Sequence, residues 1–166
     1  MGCLCESQTQ KIQKEHKYYE DSGTRLYCIY NKQKYYLACH KYYDKDKLDN
    51  DSILLIVHSN WKFYGLNFEI KAYKNGISLA YKDNVYGMKN WNLYIKNEKP
   101  VFNRFYTSDL VFEPCNGDIL IKVIDSKSYL YMDLSKKRDD NNYGISYYVG
   151  VTKDRNKATR FKRVDK

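Results

Sequence analysis

Residues 117–130 read Gly-Asp-Ile-Leu-Ile-Lys-Val-Ile-Asp-Ser-Lys-Ser-Tyr-Leu, and this stretch carries the pattern that decides the fold. The apolar pair Ile119 and Ile121 is separated by seven residues from Tyr129-Leu130. Side chains two residues apart lie on the same face of a β-strand, so apolar residues at alternate positions predict a strand with one buried face. The stretch therefore predicts a short strand, a polar turn and the start of a second strand.

The same period of two runs through the chain from Thr24 onward. Aromatic and β-branched residues alternate with polar ones in short runs, and Asn, Asp, Gly and Lys separate these runs. The two prolines, Pro100 and Pro114, lie at positions compatible with strand ends or turns. The sequence predicts an all-β domain whose strands include residues 26–28, 77–79, 91–95 and 145–149.

The opening stretch has two counterparts elsewhere in the chain. Leu26-x-Cys28 is followed after seven residues by Tyr36-Leu37. Ile77-x-Leu79 is followed after six residues by Tyr86-Gly87, so the middle copy is one residue shorter and lacks the apolar partner of its tyrosine. Three units of similar length predict three-fold pseudo-symmetry.

This pattern resembles the β-trefoil family, in which three four-strand units form a six-stranded barrel capped by three hairpins. Residues 117–121 resemble the opening strand of a unit, and Ala158-Thr159-Arg160-Phe161 resembles the closing segment of the last one. Each unit closes on a phenylalanine, at Phe68, Phe112 and Phe161. The resemblance covers about residues 24–164 and implies a β-trefoil domain over residues 23–166. A PH-like barrel is the alternative, although the C-terminus lacks the amphipathic helix that caps such barrels.

The first seven residues, Met-Gly-Cys-Leu-Cys-Glu-Ser, resemble a site for two kinds of fatty acylation. Removal of Met1 would leave Gly2 as the acceptor for myristate, and Cys3 and Cys5 are thiols that palmitate can modify. Glu6 stands where the family pattern has Ser or Thr. One myristoyl chain binds a bilayer only marginally, with a constant of about 10⁴ M⁻¹, so a second chain is needed for stable attachment. Residues 1–22 offer no apolar stripe for docking, and we expect a flexible, lipid-modified tail.

Among trefoils, an acylatable Gly2 together with a basic or titratable surface is similar to hisactophilin and its fascin-like relatives. Those proteins are cytoplasmic and bind actin, so the resemblance implies a cytoskeletal partner as an alternative function. The chain has only three histidines, and a histidine-based pH response is therefore not carried over. Ricin-type trefoil lectins carry Gln-x-Trp repeats, whereas Trp61 and Trp91 lie in other contexts. A carbohydrate- or protease-binding module is a further alternative.

The positive charge of the chain has a preferred location. The sequence contains 29 Lys and Arg against 20 Asp and Glu, and the net charge of +9 favours contact with an anionic surface. Between residues 153 and 163 a single acidic residue, Asp154, accompanies six basic ones: Lys153, Arg155, Lys157, Arg160, Lys162 and Arg163. Because the first and last strands of a trefoil are neighbours, the resemblance implies that this segment lies near the acylated tail. Each Lys or Arg near anionic headgroups would add about 1 kcal/mol of binding.

Other classes of function lack support in the sequence. There is no Gly-rich phosphate loop, nucleophile elbow or Ser/His/Asp arrangement, and no Cys/His cluster has the spacing of a metal site. We therefore expect no enzymatic activity, no cofactor and no metal. The 19 tyrosines are spread along every predicted strand, which favours a barrel core over a nucleic-acid surface. Cys28, Cys39 and Cys115 lie in apolar runs and are expected to be free, buried thiols.

Together these patterns predict a non-enzymatic, lipid-anchored scaffold or adaptor. No stretch approaches the roughly 20 apolar residues that span a bilayer, so membrane association is expected to come from acyl chains and surface charge. The expected location is the cytoplasmic face of a membrane, and the expected partners are anionic lipids and an unidentified protein.

Overall fold

The strands of the protein follow the period of two seen in the sequence. The structure is a computed structural model that describes residues 23–40, 50–59, 66–83, 87–140 and 144–165. The predicted tail at residues 1–22 lies outside the described residues. Within them the chain is all-β apart from one 3₁₀ turn, as the sequence predicts.

The elements in chain order are β1 (Thr24–Tyr30), β2 (Gln33–His40), β3 (Asp51–His58), β4 (Phe68–Tyr73), β5 (Gly76–Tyr81), β6 (Asn92–Lys96), β7 (Lys99–Asn103), β8 (Leu110–Cys115), β9 (Asp118–Val123), β10 (Ser128–Asp140), β11 (Gly144–Thr152), the 3₁₀ helix η1 (Arg155–Lys157) and β12 (Lys162–Asp165).

The antiparallel pairings occur in sets of three along the chain. β1 pairs with β2, β5 with β6 and β9 with β10. β2 pairs with β3, β6 with β7 and β10 with β11. β4 pairs with β5, β8 with β9, and β12 with β1, so the last strand lies beside the first. A contact between β3 and β11 closes the sheet into a ring.

Three of the connections are two-residue turns with both central residues at positive φ. They are Asn31-Lys32, Asn97-Glu98 and Asn116-Gly117. Two positive φ values in succession give the backbone twist that matches the twist of the flanking strands, and Asn and Gly adopt them at least cost. These turns fix the register of the strand pairs that they join.

The register identifies which residues close each four-strand unit. The first and fourth strands of a unit meet at three equivalent pairs: Thr24–Phe68, Ile77–Leu110 and Ile119–Phe161. Phe68, Leu110 and Phe161 are all completely buried. The predicted closing residue of the middle unit, Phe112, is therefore wrong, because Leu110 occupies that position and Phe112 lies two residues further along, half-buried.

The middle hairpin also begins at a different place from the one predicted. Equivalent pairs join the first and second strands at Tyr27–Tyr36, Ala80–Asn92 and Lys122–Tyr129. The residues that follow, Leu37, Leu93 and Leu130, are each 0% exposed. The predicted position Tyr86-Gly87 is wrong, since β6 begins at Asn92 and Leu93 supplies the apolar side chain.

The assignment of Leu93 to the core of the middle hairpin is tested by the same leucine-to-alanine change at Leu93 and at the exposed Leu134. Leu93→Ala is expected to lower the free energy of unfolding by about 2–5 kcal/mol, because it removes a buried side chain and leaves a cavity. Leu134 is 47% exposed, and Leu134→Ala is expected to change stability by no more than about 0.5 kcal/mol. Denaturant titration of the two variants measures both values, and equal destabilisation would contradict the assignment.

Candidate functional site

The connection between β11 and β12, residues 153–160, is held in one conformation by hydrogen bonds. The Asp154 carboxylate caps the 3₁₀ helix by accepting from the Asn156 N–H at 2.9 Å. The Thr159 N–H donates to the Leu130 carbonyl at 3.1 Å, and its hydroxyl accepts from the Met132 N–H at 2.6 Å. The basic segment is therefore fixed to the edge of β10.

All six predicted basic residues are exposed, and three of them have carboxylate partners. The ion pairs are Arg155–Glu113 at 3.6 Å, Lys162–Asp118 at 2.8 Å and Arg163–Asp165 at 2.9 Å. Within the described part of the chain, no salt bridge involves Lys153, Lys157 or Arg160. Exposed pairs of this kind contribute little to stability, but they reduce the charge available to a partner.

The charge of the segment is consequently smaller than the sequence alone suggests. Its six cations are accompanied by four carboxylates, those of Asp154 and of the three partners, which leaves a net charge of +2. The hydrogen bond to Asp118 and the charge of that carboxylate raise the pKa of Lys162. The remaining positive charge is concentrated on Lys153, Lys157 and Arg160.

The first and last strands are neighbours, as the resemblance implied. Thr24 lies opposite Asp165, and Tyr27 lies opposite Lys162. The chain therefore enters β1 at the far end of β12, whereas Lys153, Lys157 and Arg160 precede the near end. At about 3.4 Å per residue, the four residues of β12 separate the two points by roughly 14 Å.

The equivalent connection in the middle unit, residues 104–109, carries an exposed aromatic pair. Phe105 is 64% exposed and Tyr106 is 61% exposed. The Asn103 side-chain oxygen accepts from both of their backbone N–H groups at 2.7 Å, and the Tyr106 ring packs on Tyr94 with centroids 5.3 Å apart. This pair is not among the residues that the sequence predicts to be functional. The available signal was the run of residues 103–109, Asn-Arg-Phe-Tyr-Thr-Ser-Asp, in which the aromatics do not alternate with polar residues.

The cysteines of the barrel are buried free thiols, as the sequence predicts. Burial raises the pKa of Cys28 and of Cys39 to about 12. The thiolate is the reactive form of cysteine, so these two side chains are inert at neutral pH.

The predicted acylation sites Gly2, Cys3 and Cys5 lie outside the described residues. Within the described residues there is no helix that is long and apolar enough to cross a membrane. A scan against protein-family models finds no match to the chain, and a search of curated proteins finds no relative.

The carboxylate of Asp165 provides a test of the seam between β1 and β12. It accepts hydrogen bonds from Arg163 at 2.9 Å and from the Thr24 hydroxyl at 2.7 Å, which lower its pKa. A lowered folded-state pKa stabilises the fold above the unfolded value of about 3.9, and this contribution is lost as the pH falls through the folded pKa. Arg163→Gln is expected to raise the pKa of Asp165, and Thr24→Val to raise it less, as measured by NMR titration of the carboxyl carbon. Lys162→Gln is the control, because its partner is Asp118, and a shift there would contradict the assignment.

Proposed function

We propose that the protein is a non-enzymatic adaptor with a β-trefoil domain, anchored by fatty acyl chains to the cytoplasmic face of a membrane. The observation that carries the proposal is the start of the sequence, in which Gly2, Cys3 and Cys5 supply acceptors for two kinds of acyl chain. Two chains give stable attachment where one gives only marginal binding.

The three-fold recurrence of the strand pairings supports the trefoil part of the proposal. Each kind of pairing within a unit recurs at intervals of four strands, and the closing residues of all three units are buried. A barrel filled by side chains offers its loops, rather than its interior, as binding surfaces.

Surface charge supports the membrane part of the proposal. Lys153, Lys157 and Arg160 are exposed on a connection that hydrogen bonds hold in place. Anionic headgroups would attract these cations at about 1 kcal/mol each before screening by salt. Covalent geometry allows some 20 residues to span up to about 70 Å, so the acyl chains and the basic connection can reach one membrane plane together.

The exposed aromatic pair supports the adaptor part of the proposal. Aromatic side chains are enriched at the centres of protein interfaces, and a rigid backbone reduces the entropy lost on binding. Phe105 and Tyr106 combine high exposure with a backbone anchored by Asn103.

Metabolic labelling with myristate and palmitate analogues tests the anchor. The unmodified sequence is expected to incorporate both labels and to sediment with membranes. Gly2→Ala should lose both, since palmitoylation follows an initial encounter with the membrane, whereas Cys3→Ser combined with Cys5→Ser should keep myristate alone and bind reversibly.

Ser7→Ala is the matched control, because it alters the same segment without removing an acceptor, and it should be labelled like the parent chain. An unlabelled parent chain that remains in the soluble fraction would remove the membrane part of the proposal.

Vesicle binding tests the basic connection. Replacing Lys153, Lys157 and Arg160 together by Gln should weaken partition into vesicles containing anionic lipid roughly 100-fold at low salt, given about 1 kcal/mol per cation. The difference should shrink as the salt concentration rises.

A control with the same change in net charge replaces Lys32, Lys74 and Lys127, which lie in three separate turns. No single orientation is expected to bring all three to a membrane plane, so the loss should be smaller. Equal losses in the two variants would attribute binding to overall charge and not to residues 153–160.

A further inference from the structure

Three hairpins, β2–β3, β6–β7 and β10–β11, meet along seams that are not alike. The start of β3 pairs with the end of β7 through three residue pairs, and the start of β11 pairs with the end of β3 through three more. If the third seam followed the pattern of these two, the start of β7 would pair with the end of β11. The described residues contain no pairing between those two strands. We call the gap between residues 99–101 of β7 and residues 149–151 of β11 the open seam.

Pro100 gives a physical reason for the gap. The Ile95 N–H donates to the Ser108 hydroxyl, and the Leu93 carbonyl accepts from the Ser108 N–H. The backbone polar groups of Leu93 and Ile95 therefore point away from β7. Ile95 is the partner of Pro100, and alternation along an antiparallel pair therefore directs the backbone of Pro100 away from β6. That side faces the open seam, where proline has no N–H to donate.

The edge of β11 across the seam keeps its hydrogen-bonding groups. On β10, the Leu130 carbonyl and the Met132 N–H are bonded to Thr159, on the side away from β11. Their partners Val151 and Val149 accordingly direct their N–H and C=O groups away from β10. The pairing with β3 ends at Tyr148, so Val151 lies beyond it.

A cavity of about 470 Å³ occupies the open seam. This volume lies in the range of roughly 300–1,000 Å³ that is usual for ligand sites. Its walls are mainly apolar and include Ile53, Val101, Tyr131, Tyr148 and Val149. The ring of Tyr131 lies over Gly150, where a Cβ atom would come within 2.6 Å of the ring.

The charges at the cavity cancel. Glu98 and Asp133 are matched by Lys99 and Lys136. Lys136 belongs to a bulge in β10, because the register passes from Asp133–Tyr148 directly to Lys137–Tyr147. A neutral, apolar cavity beside a strand edge does not suit an anionic membrane surface or a nucleic acid.

We propose that the open seam binds an extended polypeptide segment of a protein partner, which adds as a strand to the Val149–Val151 edge of β11. Backbone N–H and C=O groups recognise another backbone, and the cavity accommodates an apolar side chain of the incoming segment. The proposal identifies the kind of partner in the adaptor function, on which it rests, but it does not depend on the membrane anchor.

Amide hydrogen exchange of the full chain is the first test. In the protein alone the Val151 amide should exchange much faster than the Gly150 amide, which faces β10. Equal protection of the two amides would mean that the seam is already closed and would overturn the proposal.

Selection from a displayed library of random, unstructured peptides is the second test. Binding of a selected synthetic peptide should slow exchange at Val151 at least about tenfold. Gly150→Ala should weaken binding about tenfold or more, because the added methyl group displaces the Tyr131 ring that forms one wall. The backbone of Gly150 does not have a positive φ, so alanine is compatible with its conformation.

Two controls require no change in the seam. Two versions of the peptide are methylated at every second amide nitrogen, one at the odd and one at the even positions. One version should lose binding and the other should keep it, because only every second amide of an added strand faces β11. Ile29→Ala should leave the affinity unchanged, because that side chain is 56% exposed on β1 and does not line the cavity.

The outcomes separate this proposal from the membrane anchor. Peptide affinity should change little between about 0.1 and 0.5 M salt, whereas vesicle binding should fall. A library that yields no binder, or a peptide whose binding is insensitive to both Gly150→Ala and amide methylation, would overturn the open-seam proposal and leave the acylation result unaffected.

Discussion

Strand β3 holds the three hairpins together, because two of its neighbours share one of its edges. β2 occupies one edge of β3 along residues 53–58, and the other edge is shared in sequence by β7 and β11. Leu54, Leu55, Ile56 and Val57 are nearly or completely buried, so β3 packs on both faces. Shifting this strand by one residue would exchange its two sets of side chains and would misalign both neighbours. The ring closes because β11 pairs with the same edge of β3 as β7 does. The open seam exists because β7 and β11 do not pair with each other beyond that edge.

How far the sequence could predict this architecture depends on which signal each prediction used. Alternation located β1, β5, β6, β9 and β11, because a strand with one buried face must alternate. The spacing of the apolar pairs predicts the hairpin positions near β2 and β10 but misplaces the middle one. The prediction of Phe112 rests on its aromatic side chain, but burial at that position requires only an apolar side chain, which Leu110 supplies. The prediction of Tyr86-Gly87 rests on a fixed spacing, which cannot allow for the insertion that makes the connection after β5 longer than its counterparts.

The candidate sites were harder to predict because they depend on contacts between distant segments. The six basic residues were visible in the sequence, but the partners of three of them, Glu113, Asp118 and Asp165, were not assigned. The exposure of Phe105 and Tyr106 depends on Asn103 holding their backbone away from the core. No local pattern reveals that Pro100 faces β11, since this requires the register of both hairpins.

The strand pairings recur three times along the described part of the chain, whereas the connections differ, and this division would let one barrel carry both of the contacts proposed above. The connection after β7 presents aromatic rings, the connection after β11 presents cations, and the seam between these hairpins presents a strand edge. Barrel positions are constrained by burial, whereas connections can vary without loss of the core. Salt screens the cations but leaves backbone pairing almost unchanged, so a membrane contact and a peptide contact on one domain would respond independently to their surroundings.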